Sequence, residues 1–149
     1  MTKGKTGIVI AVICAAGLLA AAPVMADDVG NDPSCIQLKN YAQFDAATVR
    51  SHARGPDPNA PLQESQTSDL DLGGVPCDVE PSVPELVCSG TVDPGGFEQL
   101  AAFTQTCTAS LATKASASDD GHMLHIWYRS GVMLKMSNTG SALSVKFVY

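Results

Sequence analysis

From Met123 to Tyr149 apolar and polar side chains alternate almost without interruption, which restricts the chain to architectures built on a half-buried antiparallel sheet. Leu124, Ile126 and Tyr128 alternate with Met123, His125, Trp127 and Arg129. Val132, Leu134 and Met136 alternate with Met133, Lys135 and Ser137, and Leu143, Val145, Phe147 and Tyr149 with Ser144, Lys146 and Val148. Ser130-Gly131 and Asn138-Thr139-Gly140 supply the turns between these runs. The pattern predicts a three-strand meander with one apolar face.

Such a face needs a cover. Phe97, Leu100, Phe103, Cys107 and Leu111 recur at steps of three and four, so a helix is expected from Phe97 to about Lys114. Pro84 to Val92 reads as a strand that places Leu86, Cys88, Gly90 and Val92 on one side, and Asp93-Pro94-Gly95-Gly96 is the turn after it. A further helix is expected from Asp32 to about Arg54, with Pro33 in its first turn and Gly55-Pro56-Asp57-Pro58 at its end. Residues 55–76 are rich in Pro, Gly, Asp and Ser and read as one long surface loop, with at most a short strand near Leu70 to Leu72. Ala115 to Gly121 reads as a connector. No internal repeat is visible. The expected fold class is α+β: a small disulfide-bonded domain whose antiparallel sheet, the C-terminal meander plus one preceding strand, is packed by a helix, with an additional N-terminal helix.

The N-terminus has the three parts of a secretory signal. Lys3 and Lys5 are followed by an uncharged stretch from Ile8 to Val24, then Val24-Met25-Ala26 and the acidic Asp27-Asp28. Residues 1–26 are therefore read as a cleaved leader and 27–149 as the mature domain, with no membrane-spanning segment left after cleavage. Cys14 leaves with the leader. Cys35, Cys77, Cys88 and Cys107 remain, an even number without a Cys-x-x-Cys pair, as expected of two structural disulfides in an exported domain. Four cysteines allow three connectivities. Cys88 on the strand and Cys107 on the helix stripe would face one core, so Cys88–Cys107 is expected, with Cys35–Cys77 as the second bridge. The short n-region and the cleavage site point to bacterial export, to the periplasm first and the medium second.

Cleavage also changes the charge. The whole chain has 9 basic and 15 acidic residues; losing two lysines with the leader leaves 7 against 15, a net of −8. Of the acids, 13 lie between Asp27 and Glu98, whereas Gln99 to Tyr149 carries Lys114, Arg129, Lys135 and Lys146 against Asp119 and Asp120. An acidic chain without a basic stripe is not a nucleic-acid binder, because phosphate repels it at range.

No motif for catalysis stands out. There is no Gly-x-Ser-x-Gly element, and His52, His122 and His125 sit in no recognisable catalytic setting. Asp119-Asp120-Gly121-His122-Met123-Leu124-His125 contains metal-ligand types, but two histidines three apart in a strand point to opposite faces, so this segment reads as a polar turn entering a strand and neither a metal nor a cofactor is expected. The solvent face of the meander is more distinctive. It gathers His125, Trp127, Arg129, Lys135 and Lys146 with Met133 and Val148, and Trp and Arg are the residues most enriched at binding hot spots. The competing arrangement has the N-terminal helix covering Trp127. The expected function is a small exported, non-catalytic binding protein of inhibitor or immunity type, acting through this face on a protein, an anionic glycan or a lipid headgroup. The alternatives are an exported enzyme with a non-local histidine or carboxylate site, and a structural component of the cell envelope.

Overall fold

A computed structural model describes residues 26–56 and 65–149, so the segment read as a leader, 1–26, lies outside the described residues apart from Ala26. Three short helices come first: α1 (Ala26–Asn31), α2 (Pro33–Tyr41) and α3 (Ala46–Ser51). Four strands follow, β1 (Ala53–Pro56), β2 (Gln66–Leu72), β3 (Val75–Glu80) and β4 (Glu85–Thr91), then α4 (Gly96–Thr108) and four more, β5 (Ala112–Ala117), β6 (Met123–Tyr128), β7 (Met133–Thr139) and β8 (Ala142–Val148). The strands form one antiparallel sheet in the order β1-β2-β3-β4-β8-β7-β6-β5. The α+β class is as expected, but the sheet has eight strands rather than four.

The order reads symmetrically. Each half is a helical segment followed by a four-strand meander, and the last strands of the two halves, β4 and β8, meet antiparallel at the centre from Glu85↔Val148 to Thr91↔Ala142. The sequence carries no repeat, so this repetition exists only in the topology.

Helix α2 begins where Asp32 accepts from the Ser34 N–H (2.8 Å) with Pro33 behind it. The chain then turns at Ala42, and Asp45 starts α3 by accepting from the Thr48 N–H (2.7 Å). The continuous helix expected from Asp32 to Arg54 is therefore two short ones plus β1. The segment read as a loop at 55–76 holds the end of β1, all of β2 and the start of β3, with 57–64 outside the described residues. Gly73 and Gly74 close the β2–β3 hairpin with φ of 61° and 84°, the left-handed pair a two-residue turn of this type requires. At Gly73 a Cβ would also meet the Ser34 Oγ at 3.0 Å.

The disulfides join Cys35 to Cys107 and Cys77 to Cys88. This corrects both expected pairings. Cys77 lies directly opposite Cys88 in the β3–β4 ladder, a neighbour the sequence reading lacked because it placed no strand at 75–80. Cys107, on the buried side of α4, meets Cys35 on α2 instead, so the bridge ties together the helices that lead the two halves.

The core lies between the helices and one face of the sheet. Leu86, Leu134 and Phe147 are fully buried, and Ile126, Leu124 and Val145 nearly so. Tyr41 of α2 stacks edge-on against Phe147 at 5.6 Å between centroids, and Tyr128 Oη donates to Thr108 Oγ1 of α4 at 3.1 Å. Buried Thr104 and Thr108 donate to the carbonyls of Leu100 and Thr104, so the helix absorbs its own hydroxyls. None of the described helices is long and apolar enough to cross a membrane.

Candidate functional site: the uncovered face of the sheet

Strand alternation fixes what the other face carries. Since Leu124, Ile126 and Tyr128 point into the core, Met123, His125 and Trp127 point away, joined by Met133, Lys135 and Ser137 from β7 and Ser144, Lys146 and Val148 from β8. None of these outer residues is buried. The described helices pack on the opposite side, so none of them covers Trp127.

The ladder registers arrange the outer residues in rows across the strands. One row runs Val87–Lys146–Lys135–His125, and the next Glu85–Val148–Met133–Trp127–Lys114. The second row is apolar and aromatic at its centre. Lys114 of β5 sits over the half-buried Trp127 ring at 4.9 Å, and His125 meets its edge at 5.9 Å between centroids. Lys146 pairs with Glu85 of β4 at 2.7 Å. Lys135 stands directly between Lys146 and His125 with no salt bridge among the described residues. Two lysines directly opposed across a ladder cost rather than contribute stability. A shallow depression of about 290 Å³ lies here, lined by His125, Lys135 and Lys146 together with Ser137 and Ser144.

Four of the five sequence-predicted residues, His125, Trp127, Lys135 and Lys146, thus share one face. Arg129 does not join them: β6 ends at Tyr128, and Arg129 is exposed in the following turn, where its N–H donates to the Leu111 carbonyl. Sequence reasoning missed Lys114, because residues 112–117 form an exposed edge strand of small residues with no apolar alternation. It also missed Glu85 as the partner of Lys146, since nothing local in the sequence places β4 beside β8. The face is dipolar across the sheet, with Asp78, Glu80 and Glu85 projecting from β3 and β4 and the lysines from β5, β7 and β8.

Several titratable groups away from this face are held by local hydrogen bonds and ion pairs. His122 sits in the turn before β6, its Nδ1 at 3.0 Å from Asn138 Oδ1, and so does not converge with His125. Asp120 accepts from Ser118 Oγ and the His122 N–H, and these bonds hold its carboxyl below the usual range. His52 binds Asp69 at 2.7 Å, and Arg54 binds the second carboxylate oxygen; the His52 bond, then Arg54, depress the Asp69 pKa. These contacts fasten the end of α3 and the start of β1 to β2. No group of three or more metal-ligating side chains converges among the described residues.

Against protein-family models, curated proteins and solved structures the chain finds no match. The two disulfides indicate an oxidising environment outside the cytoplasm.

Proposed function

We propose that the protein is exported through the cleaved leader 1–26 and works as a small, non-catalytic binding protein of inhibitor or immunity type, engaging a protein partner through the outer face of β6–β8. One observation carries this reading: an eight-stranded sheet has every described helix on one side, while on the other side Trp127, Met133 and Val148 are left only part-buried beside Lys135. A sheet face that served only as a solvated surface would carry polar side chains along its central strands.

Charge favours a protein over a polyanion. A glycan or membrane surface bearing many negative charges is repelled by the net −8 of the mature chain and by the acidic half of the same face. A partner presenting an acidic side chain next to an apolar one meets Lys135 and the Trp127–Met133 row together.

The test is affinity capture from the organism's envelope fraction by the oxidised protein and by Trp127→Ala and Lys135→Glu variants. Capture of the same partner lost in both variants supports the reading. Equal capture by all three removes it. Arg129→Ala, at the rim, is expected to retain most of the binding.

A further inference from the structure

A second site lies on the opposite side of the sheet. Between α2, α4 and the strands is a cavity of about 260 Å³. Leu38 of α2, Leu100 and Phe103 of α4, and Met136, Leu143 and Val145 of the sheet form most of its wall. Its exposed lining residues, Gly73 and Thr91, mark where it meets solvent. No charged side chain lines it. Its polar lining groups include the hydroxyls of Ser34, Thr91 and Thr104, of which Thr104 alone is buried, at 1 % exposure.

We infer that this cavity is a binding site for a small aromatic molecule carrying one hydrogen-bond donor, of the phenol or indole class. The volume sets the size: a dry apolar cavity of about 150 Å³ already accepts benzene, so about 260 Å³ admits one ring with a substituent or two fused rings. The lining sets the polarity, since a charged ligand would find no counter-ion and water few partners. Thr104 sets the donor. Its hydroxyl hydrogen goes to the Leu100 carbonyl at 2.8 Å, and its oxygen accepts nothing among the described residues, so what it has left to offer is an acceptor. At 1 % exposure that oxygen is covered in the unliganded protein, so a ligand O–H or N–H reaches it as the part-buried Leu100 and Phe103 side chains shift, and the ring then contacts Leu100, Phe103 and Val145. Within the α4 apolar stripe Phe97 and Cys107 are buried, as are Thr104 and Thr108, whereas Leu100 and Phe103, which line the cavity, are only partly buried.

The site is independent of the proposed binding face, which lies across the sheet. The experiment adds phenol, indole and toluene separately, at millimolar concentration, to the oxidised protein and follows backbone amide shifts and the melting temperature. Phenol and indole are expected to raise the melting temperature and to move the amides of Leu100, Thr104, Leu143 and Val145, with toluene binding roughly tenfold more weakly than phenol. Thr104→Val keeps the shape but removes the acceptor, so phenol affinity should fall roughly tenfold, to that of toluene, for the loss of one hydrogen bond. Leu100→Phe fills the cavity from a part-buried position and should abolish all three. Shifts that are absent, or that centre on Trp127 and Lys135, overturn the inference, as does a Thr104→Val variant that still prefers phenol.

Discussion

Tyr41, Tyr128 and Tyr149 show how burial couples single residues to pH. Burial, and for Tyr41 the neighbouring Asp71 charge, pushes the phenols of Tyr41 and Tyr128 up to about 12 and that of Tyr149 higher still. Above the ordinary phenol value near 10, the unfolded chain gives up these protons while the folded chain keeps them. Stability that is complete below pH 10 should therefore decline as pH rises from 10 towards 12. Urea midpoints at pH 9, 10 and 11 check this; a flat profile would contradict it. On the sheet, fully buried Leu134 and half-exposed Lys135 are neighbours with opposite roles. Leu134→Ala is expected to cost about 2–5 kcal/mol. Lys135→Glu replaces a like-charge contact with Lys146 by an attraction and should stabilise the fold by about 0.2–1 kcal/mol. If Lys135 serves binding, the same change weakens partner capture, and a variant both more stable and less functional is the signature to look for in paired melting and capture assays.

At the scale of elements, the two disulfides do different work. Cys77–Cys88 bridges adjacent strands 11 residues apart in sequence, within a ladder already held by hydrogen bonds. Cys35–Cys107 spans 72 residues and joins α2 to α4. In the loop-entropy picture they stabilise by about 3 and about 4 kcal/mol respectively. The Cys35→Ala/Cys107→Ala double variant should thus lose more stability than Cys77→Ala/Cys88→Ala, as urea denaturation would read directly. Connectivity itself is open to mapping: after non-reducing cleavage at Lys, Arg and Glu, with the Glu80–Pro81 bond resistant, the segment ending at Glu85 must remain linked to 86–98, and the segment ending at Lys39 to 99–114. The edge strands follow the same logic of exposure. β1 carries Pro56 and β5 carries Lys114, residues that discourage pairing with another chain at both ends of the sheet.

The described residues form a two-layer plate, with helices and core on one side and, on the other, a dipolar sheet face that none of the described helices covers. Its asymmetry separates the core from the proposed binding face. Trp127 is half-buried against Lys114 and His125, outside the core, so Trp127→Ala should cost only about 1–2 kcal/mol while removing most of the partner affinity. Melting temperature together with capture yield on one preparation measures both quantities. A Trp127→Ala protein that fails to fold would place that ring in the core and contradict the layering.

Much of this plate was legible in the residues, and the parts that were not share a cause. The strict alternation from Met123 to Val148, the three-and-four spacing after Phe97 and the Leu86/Cys88 parity are local patterns, and each element they describe is written in its own burial. Gly73-Gly74 was an equally local hairpin signal, and β2 and β3 were within reach of it. β5 was not, because an edge strand of Ala, Thr, Lys and Ser that buries little has no reason to alternate. The same division holds for the candidate site: period two alone put His125, Trp127, Lys135 and Lys146 on a common side. That β4 lies beside β8, that Glu85 meets Lys146, that Cys35 finds Cys107, and that a cavity opens beneath Leu100 and Phe103 are long-range facts. They depend on how two four-strand halves pack against each other, and no window of sequence contains both partners.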